Sequence, residues 1–127
     1  MELEAITRQH DLDLIYLLAP TSDEERIALV TARSEGFVYL VSLTGVTGSE
    51  AGLPEELEDF VRRVRRSTMK PLCVGFGIAA PSQARRAAAV ADGVIVGSKI
   101  LRLIEEDPSL GAATAFVREL RRALDER

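Results

Sequence analysis

Short apolar runs alternate with amphipathic stretches along this chain of 127 residues. Short apolar runs that end at turn residues are typical of strands buried on both faces, and the chain has four of them, at residues 12–18, 37–43, 71–75 and 93–96. Apolar residues at helical spacing predict helices at residues 2–10, 54–67, 81–91 and 99–106. A further helix is predicted after a capping box formed by Ser22 and Glu25, and a last one from Pro108 onward. The expected order is therefore a leading helix followed by four strand–helix units.

This alternation without an internal linker predicts a single α/β unit over residues 1–127, with a parallel sheet. Four apolar parallel strands need cover on both faces and make an incomplete domain. We interpret the chain as one half of an eight-stranded (βα)8 TIM barrel, a half-barrel that begins with an additional helix.

The composition gives no sign of nucleic acid or a membrane as a partner. The formal net charge of −4 lacks the basic footprint of a nucleic-acid-binding protein, and no apolar run approaches the ~20 residues of a membrane span. The acidic start Met1–Glu4 is unlike a signal peptide, so a cytoplasmic location is expected. The single cysteine, Cys73, lies inside an apolar run and is assigned to packing.

Three of the predicted strands end in glycine, at Gly45–Gly48, Gly75-Phe76-Gly77 and Gly97-Ser98. Glycine permits a positive φ and lets backbone N–H groups approach a ligand closely. The carboxyl ends of parallel strands meet at one end of such a fold, where ligands bind. A phosphate group is the expected ligand; each glycine alone is weak evidence, since most glycines near strand ends only make turns, but three in successive loops make the functional interpretation as good as a structural one. Ala80 offers no capping oxygen to the next helix, which leaves the first N–H groups to solvent or to a ligand.

A proton carrier is missing from these strand ends. Asp13 and Asp92 fall at the opposite, amino ends, and Glu50 follows the glycine loop as a solvated residue. The one histidine, His10, is assigned to the surface of the leading helix. The arginine run at residues 62–66 is interpreted as a solvated helix end rather than an anion patch. No metal and no cofactor are expected.

Four segments together resemble the tryptophan synthase α chain; they are Leu17-Leu18-Ala19-Pro20-Thr21, residues 39–48 (YLVSLTGVTG), Val74-Gly75-Phe76-Gly77-Ile78 and residues 93–98 (GVIVGS). The resemblance runs from end to end of this chain and covers strands five to eight of the family's barrel. It implies a lyase of tryptophan biosynthesis that cleaves indole-3-glycerol phosphate to indole and glyceraldehyde 3-phosphate, and passes indole to a β subunit.

The resemblance also implies roles for individual residues. The phosphate would be held by Gly48, Gly77, Gly97 and Ser98. The substrate pocket would be lined by Leu17, Gly75, Phe76 and Ile78, with Leu17 against the indole. Supporting catalytic roles would fall to Tyr39 and Thr47. The family's general acid–base Glu and its indole-binding Asp belong to the amino-terminal half and have no counterpart in this chain.

Two interpretations follow. In the first, this chain carries the phosphate- and indole-binding half of the lyase, is inactive alone, and needs a complementary half-barrel. In the second, it is a noncatalytic phosphate-binding module that associates with itself to close a barrel. Neither involves nucleic acid or a membrane.

Overall fold

A four-stranded parallel sheet forms the centre of the computed structural model, which describes residues 2–41, 55–75 and 77–126. The strands are β1 (Leu17–Leu18), β2 (Val38–Val41), β3 (Leu72–Gly75) and β4 (Gly93–Val94). The helices are α1 (Glu2–Gln9), α2 (Glu24–Arg33), α3 (Glu55–Arg65), α4 (Pro81–Ala88), α5 (Ser98–Glu106) and α6 (Gly111–Asp125). The spatial order is β1-β2-β3-β4, and each neighbouring pair is parallel. The predicted half-barrel with its leading helix is confirmed.

Several element boundaries differ from the predictions. The first strand is confined to Leu17–Leu18, because residues 12–16 form no ladder of their own. The last helix begins at Gly111, three residues after Pro108. Part of the second predicted strand, residues 42–43, lies outside the described residues.

The predicted capping box before α2 is wrong. Asp23 is the N-cap, and its carboxylate accepts from the backbone N–H of Arg26 at 2.8 Å. The hydroxyl of Ser22 instead accepts from the N–H of Ala19 at 3.1 Å and closes the turn after β1. Both residues are common N-caps, so the local sequence did not separate them.

One face of the sheet is buried under helices. In β2 and β3 the side chains alternate between buried and half-buried. The buried set packs with α2 and α3 in one cluster: Leu18, Val38, Leu40, Leu72, Val74, Ile27, Val30, Leu57, Phe60, Val61 and Val64. A second cluster joins α4 and α6 through Ile78, Ala84, Ala87, Phe116 and Leu120.

The opposite face lacks such cover among the described residues. Tyr39, Val41, Cys73 and Gly75 alternate with the buried set and are only half-buried, and Leu17 is 55% exposed. This is the face that points to the interior when such a sheet closes into a barrel.

Polar contacts fix the amino ends of the strands. Asp92 accepts from the N–H of Leu72 at 2.9 Å and pairs with Arg65. Lys70 donates to the carbonyls of Thr31 and Ser34 at 2.7 and 2.6 Å, at the carboxyl end of α2. Asp92, one of the two acids predicted at the amino ends of the strands, therefore has a structural role. Within the described ranges, no helix combines the length and apolar character needed to cross a bilayer.

Candidate anion site at the carboxyl ends of the strands

Gly77 follows β3 and Gly97 follows β4, and these two glycines lie at equivalent positions after the paired residues of adjacent strands. Val74 pairs with Val94 in the parallel register, and the N–H of Ile95 donates to the carbonyl of Val74 at 2.9 Å. Gly77 and Gly97 each follow that pair by three residues. Because neighbouring strands lie about 4.8 Å apart, the paired residues of β3 and β4 that precede the two glycines are side by side.

Gly77 adopts a backbone conformation that favours glycine. Its φ is +73°, in the left-handed region, and the residue is exposed. The next residue, Ile78, is 2% exposed and belongs to the cluster formed with α4 and α6. The turn at Gly77 thus directs one side chain into the core and leaves the backbone of the glycine accessible.

The start of α5 is open. Gly97 is its N-cap, so no side chain caps the first turn, and a methyl group built on Gly97 would meet no atom within 4 Å. Ser98, the first helical residue, is exposed. The first N–H groups of a helix have no partner within the helix and, together with its dipole, favour an anion.

The start of α4 carries a contact that the sequence-based expectation did not include. Ala80 caps the helix without a side-chain acceptor, as predicted. However, the side-chain oxygen of Gln83 accepts from the N–H groups of Ala79 and Ala80 at 2.8 and 3.0 Å. These two N–H groups precede the helix, and the first helical residue, Pro81, has no N–H of its own. A Gln at the third helical position was the available signal, but the prediction considered only the cap residue.

Tyr39 and Gly75 lie against each other on the half-buried face. A methyl group built on Gly75 would lie 2.6 Å from the Tyr39 hydroxyl oxygen and 3.0 Å from its ring. Leu17 pairs in register with Tyr39 on the neighbouring strand and points to the same face. The structure thus places three of the predicted site residues on one surface, below the glycine turns.

Three of the predicted site residues, Thr47, Gly48 and Phe76, lie outside the described residues. Their assignment therefore stays a prediction.

Lys99 follows Ser98 directly, and its ammonium group lies 5.9 Å from the centroid of the Phe116 ring. Burial, followed by the nearby Asp92, raises the pKa of the Cys73 thiol above its usual 9.0, so this group stays protonated at neutral pH. No group of three or more metal-ligating side chains occurs among the described residues.

Two arginines of α3, Arg63 and Arg65, contact other parts of the protein, whereas Arg62 and the following Arg66 are exposed. Arg63 donates to the carbonyls of Pro20 and Ser22 at 3.3 and 2.7 Å and to the carboxylate of Glu24 at 3.0 Å. Arg65 donates to the carbonyl of Lys70 at 2.9 Å in addition to its pair with Asp92. Arg63 holds the turn that follows β1, a role that sequence reasoning missed because its partners lie about forty residues earlier.

The fold and the position of the site define one half of a (βα)8-barrel protein whose candidate ligand site lies at the carboxyl ends of its strands. The chain belongs to the tryptophan synthase alpha chain family, since the model of that family matches residues 1–124.

Relatives with that name support the assignment. The chain is 53% identical over 124 residues to the tryptophan synthase alpha chain of Dehalococcoides mccartyi, which covers 98% of this chain and 49% of that protein. It is 47% identical over 126 residues to the protein of the same name from Geobacter sulfurreducens, covering 97% of this chain and 48% of that protein.

Solved structures agree with the fold. The Mycobacterium tuberculosis tryptophan synthase structure in space group F222 aligns with a TM-score of 0.86 and 36% identity, over 98% of this chain and 46% of that one. The tryptophan synthase alpha chain of Legionella pneumophila aligns with a TM-score of 0.82 and 32% identity, over 98% and 47% of the two chains. The chain therefore spans about half the length of the relatives that it matches.

Proposed function

We propose that this chain supplies the substrate-holding half of a tryptophan synthase α chain and binds the phosphate group of indole-3-glycerol phosphate. The observation that carries the proposal is the pair of in-register turns after β3 and β4. Gly77 and Gly97 follow paired positions of these two strands, and the start of α5 lies directly after Gly97, which supports one shared site. Gly48 would contribute from the preceding loop.

Backbone donors suit this ligand. A phosphate ester is dianionic near neutral pH, and the N–H groups at the start of α5 can donate to its oxygens without a charged side chain. Ser98 would add a hydroxyl donor. The open space at Gly97, where a methyl group would meet no atom within 4 Å, is the room that a phosphate oxygen needs.

The remainder of the substrate would lie along the half-buried face. Leu17, Tyr39 and Gly75 share that face, with Leu17 55% exposed and available to contact an indole ring. Phe76 and Ile78 were predicted to line the same pocket. The side chain of Ile78 lies in the core, so it would shape the pocket from behind or through its backbone.

The retro-aldol cleavage also needs a positioned proton carrier. The family's Glu and Asp for this purpose belong to the other half of the barrel. Tyr39 and Thr47 would only support them. This chain therefore binds the substrate, and a complementary amino-terminal half performs the proton transfers. Members of the family work with a β subunit, and we expect the assembled barrel to do so in the cytoplasm.

Calorimetry with glycerol 3-phosphate tests the binding step. Ser98→Ala removes a hydrogen bond to a charged group, worth roughly 1.5–3 kcal/mol, and should weaken binding by roughly ten- to a hundredfold. Gly97→Val should weaken it further, because a branched side chain would fill the anion's place. Ser67→Ala, at an exposed residue after α3, is the matched control and should bind like the wild type. Unchanged affinity in Ser98→Ala would remove that residue from the site.

A lyase assay tests whether this chain binds the substrate while the amino-terminal half performs the proton transfers. The chain alone should not cleave indole-3-glycerol phosphate, and addition of the amino-terminal half of a relative should restore cleavage. Turnover by the chain alone would show that it carries a proton carrier of its own.

A second candidate function is a noncatalytic phosphate-binding module that associates with itself. The half-buried inner face of the sheet favours it, since that face needs a cover. Phosphate binding without restored lyase activity, when the amino-terminal half is added, would support this candidate.

A further inference from the structure

Arg63 of α3 holds the turn that follows β1 with all three nitrogen atoms of its guanidinium group. Nη1 and Nη2 donate to the carbonyls of Pro20 and Ser22 at 3.3 and 2.7 Å, and Nε donates to the carboxylate of Glu24 at 3.0 Å. These partners lie 39 to 43 residues earlier in the chain. One side chain therefore ties the turn between β1 and α2 to a distant element of the fold.

Local hydrogen bonds close this turn, which comprises residues 19–22. The N–H of Ser22 donates to the carbonyl of Ala19 at 2.8 Å, and the N–H of Ala19 donates to the Ser22 hydroxyl at 3.1 Å. Both bonds join residues of the turn to each other, so they set its shape. The bonds from Arg63 set its place, because they start from another helix and end on two carbonyls of the turn.

The turn lies at the end of the fold where a ligand is expected. It follows the carboxyl end of β1, and the sites of (βα)8 barrels are built by the loops at the carboxyl ends of the strands. Leu17, the predicted indole contact, precedes the turn by two residues and is 55% exposed. Leu18 between them is 1% exposed and belongs to the core. The strand is thus anchored by its own packing, whereas the turn beyond it is held by Arg63.

We propose that Arg63 is a positioning residue for the substrate: it keeps the turn at residues 19–22 in place as a wall of the site beside the indole ring. The inference rests on the proposed function and adds to it a residue that does not touch the substrate. The phosphate group would lie after β3 and β4, which the order β1-β2-β3-β4 separates from β1 by β2. Loss of the Arg63 contacts should therefore weaken binding of the indole part and leave binding of the phosphate part unchanged.

The geometry of the contact separates positioning from simple charge attraction. Arginine presents its donors in a rigid planar fork, whereas lysine presents one compact charge on a flexible stem. Arg63→Lys keeps the attraction to Glu24 but cannot hold both carbonyls in the same way. The side chain of Glu24 is 71% exposed, and exposed ion pairs contribute little. Arg63→Lys should therefore behave like Arg63→Met, and Glu24→Gln like the wild type.

Calorimetry with two phosphate esters tests the proposal. One is glycerol 3-phosphate, and the other is 3-(indol-3-yl)propyl phosphate, which keeps the indole ring and the phosphate of the proposed substrate but lacks its hydroxyl groups. Arg63→Met and Arg63→Lys should each weaken binding of the indole ester about tenfold and change that of glycerol 3-phosphate less than about twofold.

Two control variants accompany this measurement. Lys70→Met controls for a general loss of stability, since Lys70 acts at the other end of α2. Arg62→Met, at an exposed residue of the same helix as Arg63, controls for the loss of a positive charge. Both variants should bind the two esters like the wild type.

Amide hydrogen exchange shows whether the turn itself is released. In Arg63→Met the amides of Ala19 and Ser22 should exchange about tenfold faster than in the wild type. The amide of Tyr39, which donates to the carbonyl of Tyr16 at 3.1 Å, should keep its protection. Unchanged exchange at Ala19 and Ser22 would overturn the inference.

The calorimetry separates failure of this inference from failure of the proposed function. Unchanged affinity for the indole ester in Arg63→Met, an equal loss for both esters, full rescue by Arg63→Lys, or the same loss in Lys70→Met would overturn this inference alone. Equal affinity of the wild type for the two esters would do so as well. A wild-type chain that binds neither ester removes the proposed function and this inference with it.

Discussion

The hydroxyl oxygen of Tyr39 lies 2.6 Å from the position that a Cβ atom on Gly75 would occupy. The end of the Tyr39 ring lies over the glycine on the neighbouring strand, so a larger residue at Gly75 requires the Tyr39 side chain to move. The contact lies at the carboxyl end of β3, immediately before the glycine turn, and links packing of the sheet to the shape of the site.

Gly75→Ala should therefore displace the Tyr39 ring and lower the free energy of unfolding by about 1–3 kcal/mol, the usual cost of overpacking. Gly97→Ala is the control, because a methyl group there meets no atom within 4 Å, and it should leave stability within about 0.5 kcal/mol. Urea denaturation of Gly75→Ala, Tyr39→Phe and the double variant should show non-additive effects. Additive effects would mean that the contact is absent in solution.

Lys70 should stabilise the carboxyl end of α2. Its ammonium group donates to two carbonyls, of Thr31 and Ser34, and hydrogen bonds from a charged donor contribute roughly 1.5–3 kcal/mol each. Lys70→Met should lower the free energy of unfolding by at least about 1.5 kcal/mol. Arg66→Met, at an exposed position, is the control and should change it by less than about 0.5 kcal/mol. Equal effects in the two variants would contradict a capping role.

Stability should fall in acid through Glu4. The hydrogen bond from the Tyr16 hydroxyl, aided by Arg33, lowers the pKa of the Glu4 carboxyl below its usual 4.5. A lowered folded-state pKa adds stability above the unfolded-state value, and that stability is lost as the pH falls through the folded-state value. The gap in unfolding free energy between wild type and Tyr16→Phe should therefore be largest near pH 7 and narrow below pH 4.5.

Ile27→Val is the control for this pH series, because it alters packing without touching an ionisable group, and its gap should stay constant. The same hydrogen bond raises the pKa of Tyr16 above its usual 10.0, so its contribution is also lost above pH 10. A constant gap for Tyr16→Phe from pH 7 to pH 3 would show that Glu4 does not accept this bond.

Leu110 carries backbone strain at the start of α6. Its φ of +70° lies in the left-handed region, which costs a residue with a side chain roughly 1–2 kcal/mol. Leu110→Gly should relieve part of that strain and raise the free energy of unfolding by about 0.5–1 kcal/mol. Ala115→Gly, at an exposed position one turn into the helix, should instead lower it by about 0.5–1 kcal/mol. Thermal unfolding that ranks the two variants in the opposite order would count against the strain.

Hydrophobic periodicity predicted the order of elements, and it was clearest where an element buries a continuous apolar face, as α3 does. Leu57, Phe60, Val61 and Val64 all fall in the core as the spacing required. It could not distinguish the two faces of the sheet, since both are apolar in β2 and β3. The half-buried state of Tyr39 and Cys73 depends on what covers them, and that is a tertiary property.

Long-range polar contacts were equally inaccessible from sequence. Arg63 belongs to an arginine run that looks like an ordinary basic helix end, yet it holds the turn after β1 through Pro20, Ser22 and Glu24. The glycine turns were predictable because a strand end followed by glycine has few structural alternatives. The sequence could not predict that the glycines after β3 and β4 follow paired positions, because this depends on the register of Val74 with Val94.

Amide chemical shifts during titration with glycerol 3-phosphate test the proposed phosphate site most directly. The amide signals of Gly77, Gly97 and Ser98 should move together with one dissociation constant, while those of Gly36 and Gly111 should stay in place. Shifts confined to the arginine-rich end of α3, or separate dissociation constants for Gly77 and Gly97, would contradict a shared site at the ends of β3 and β4.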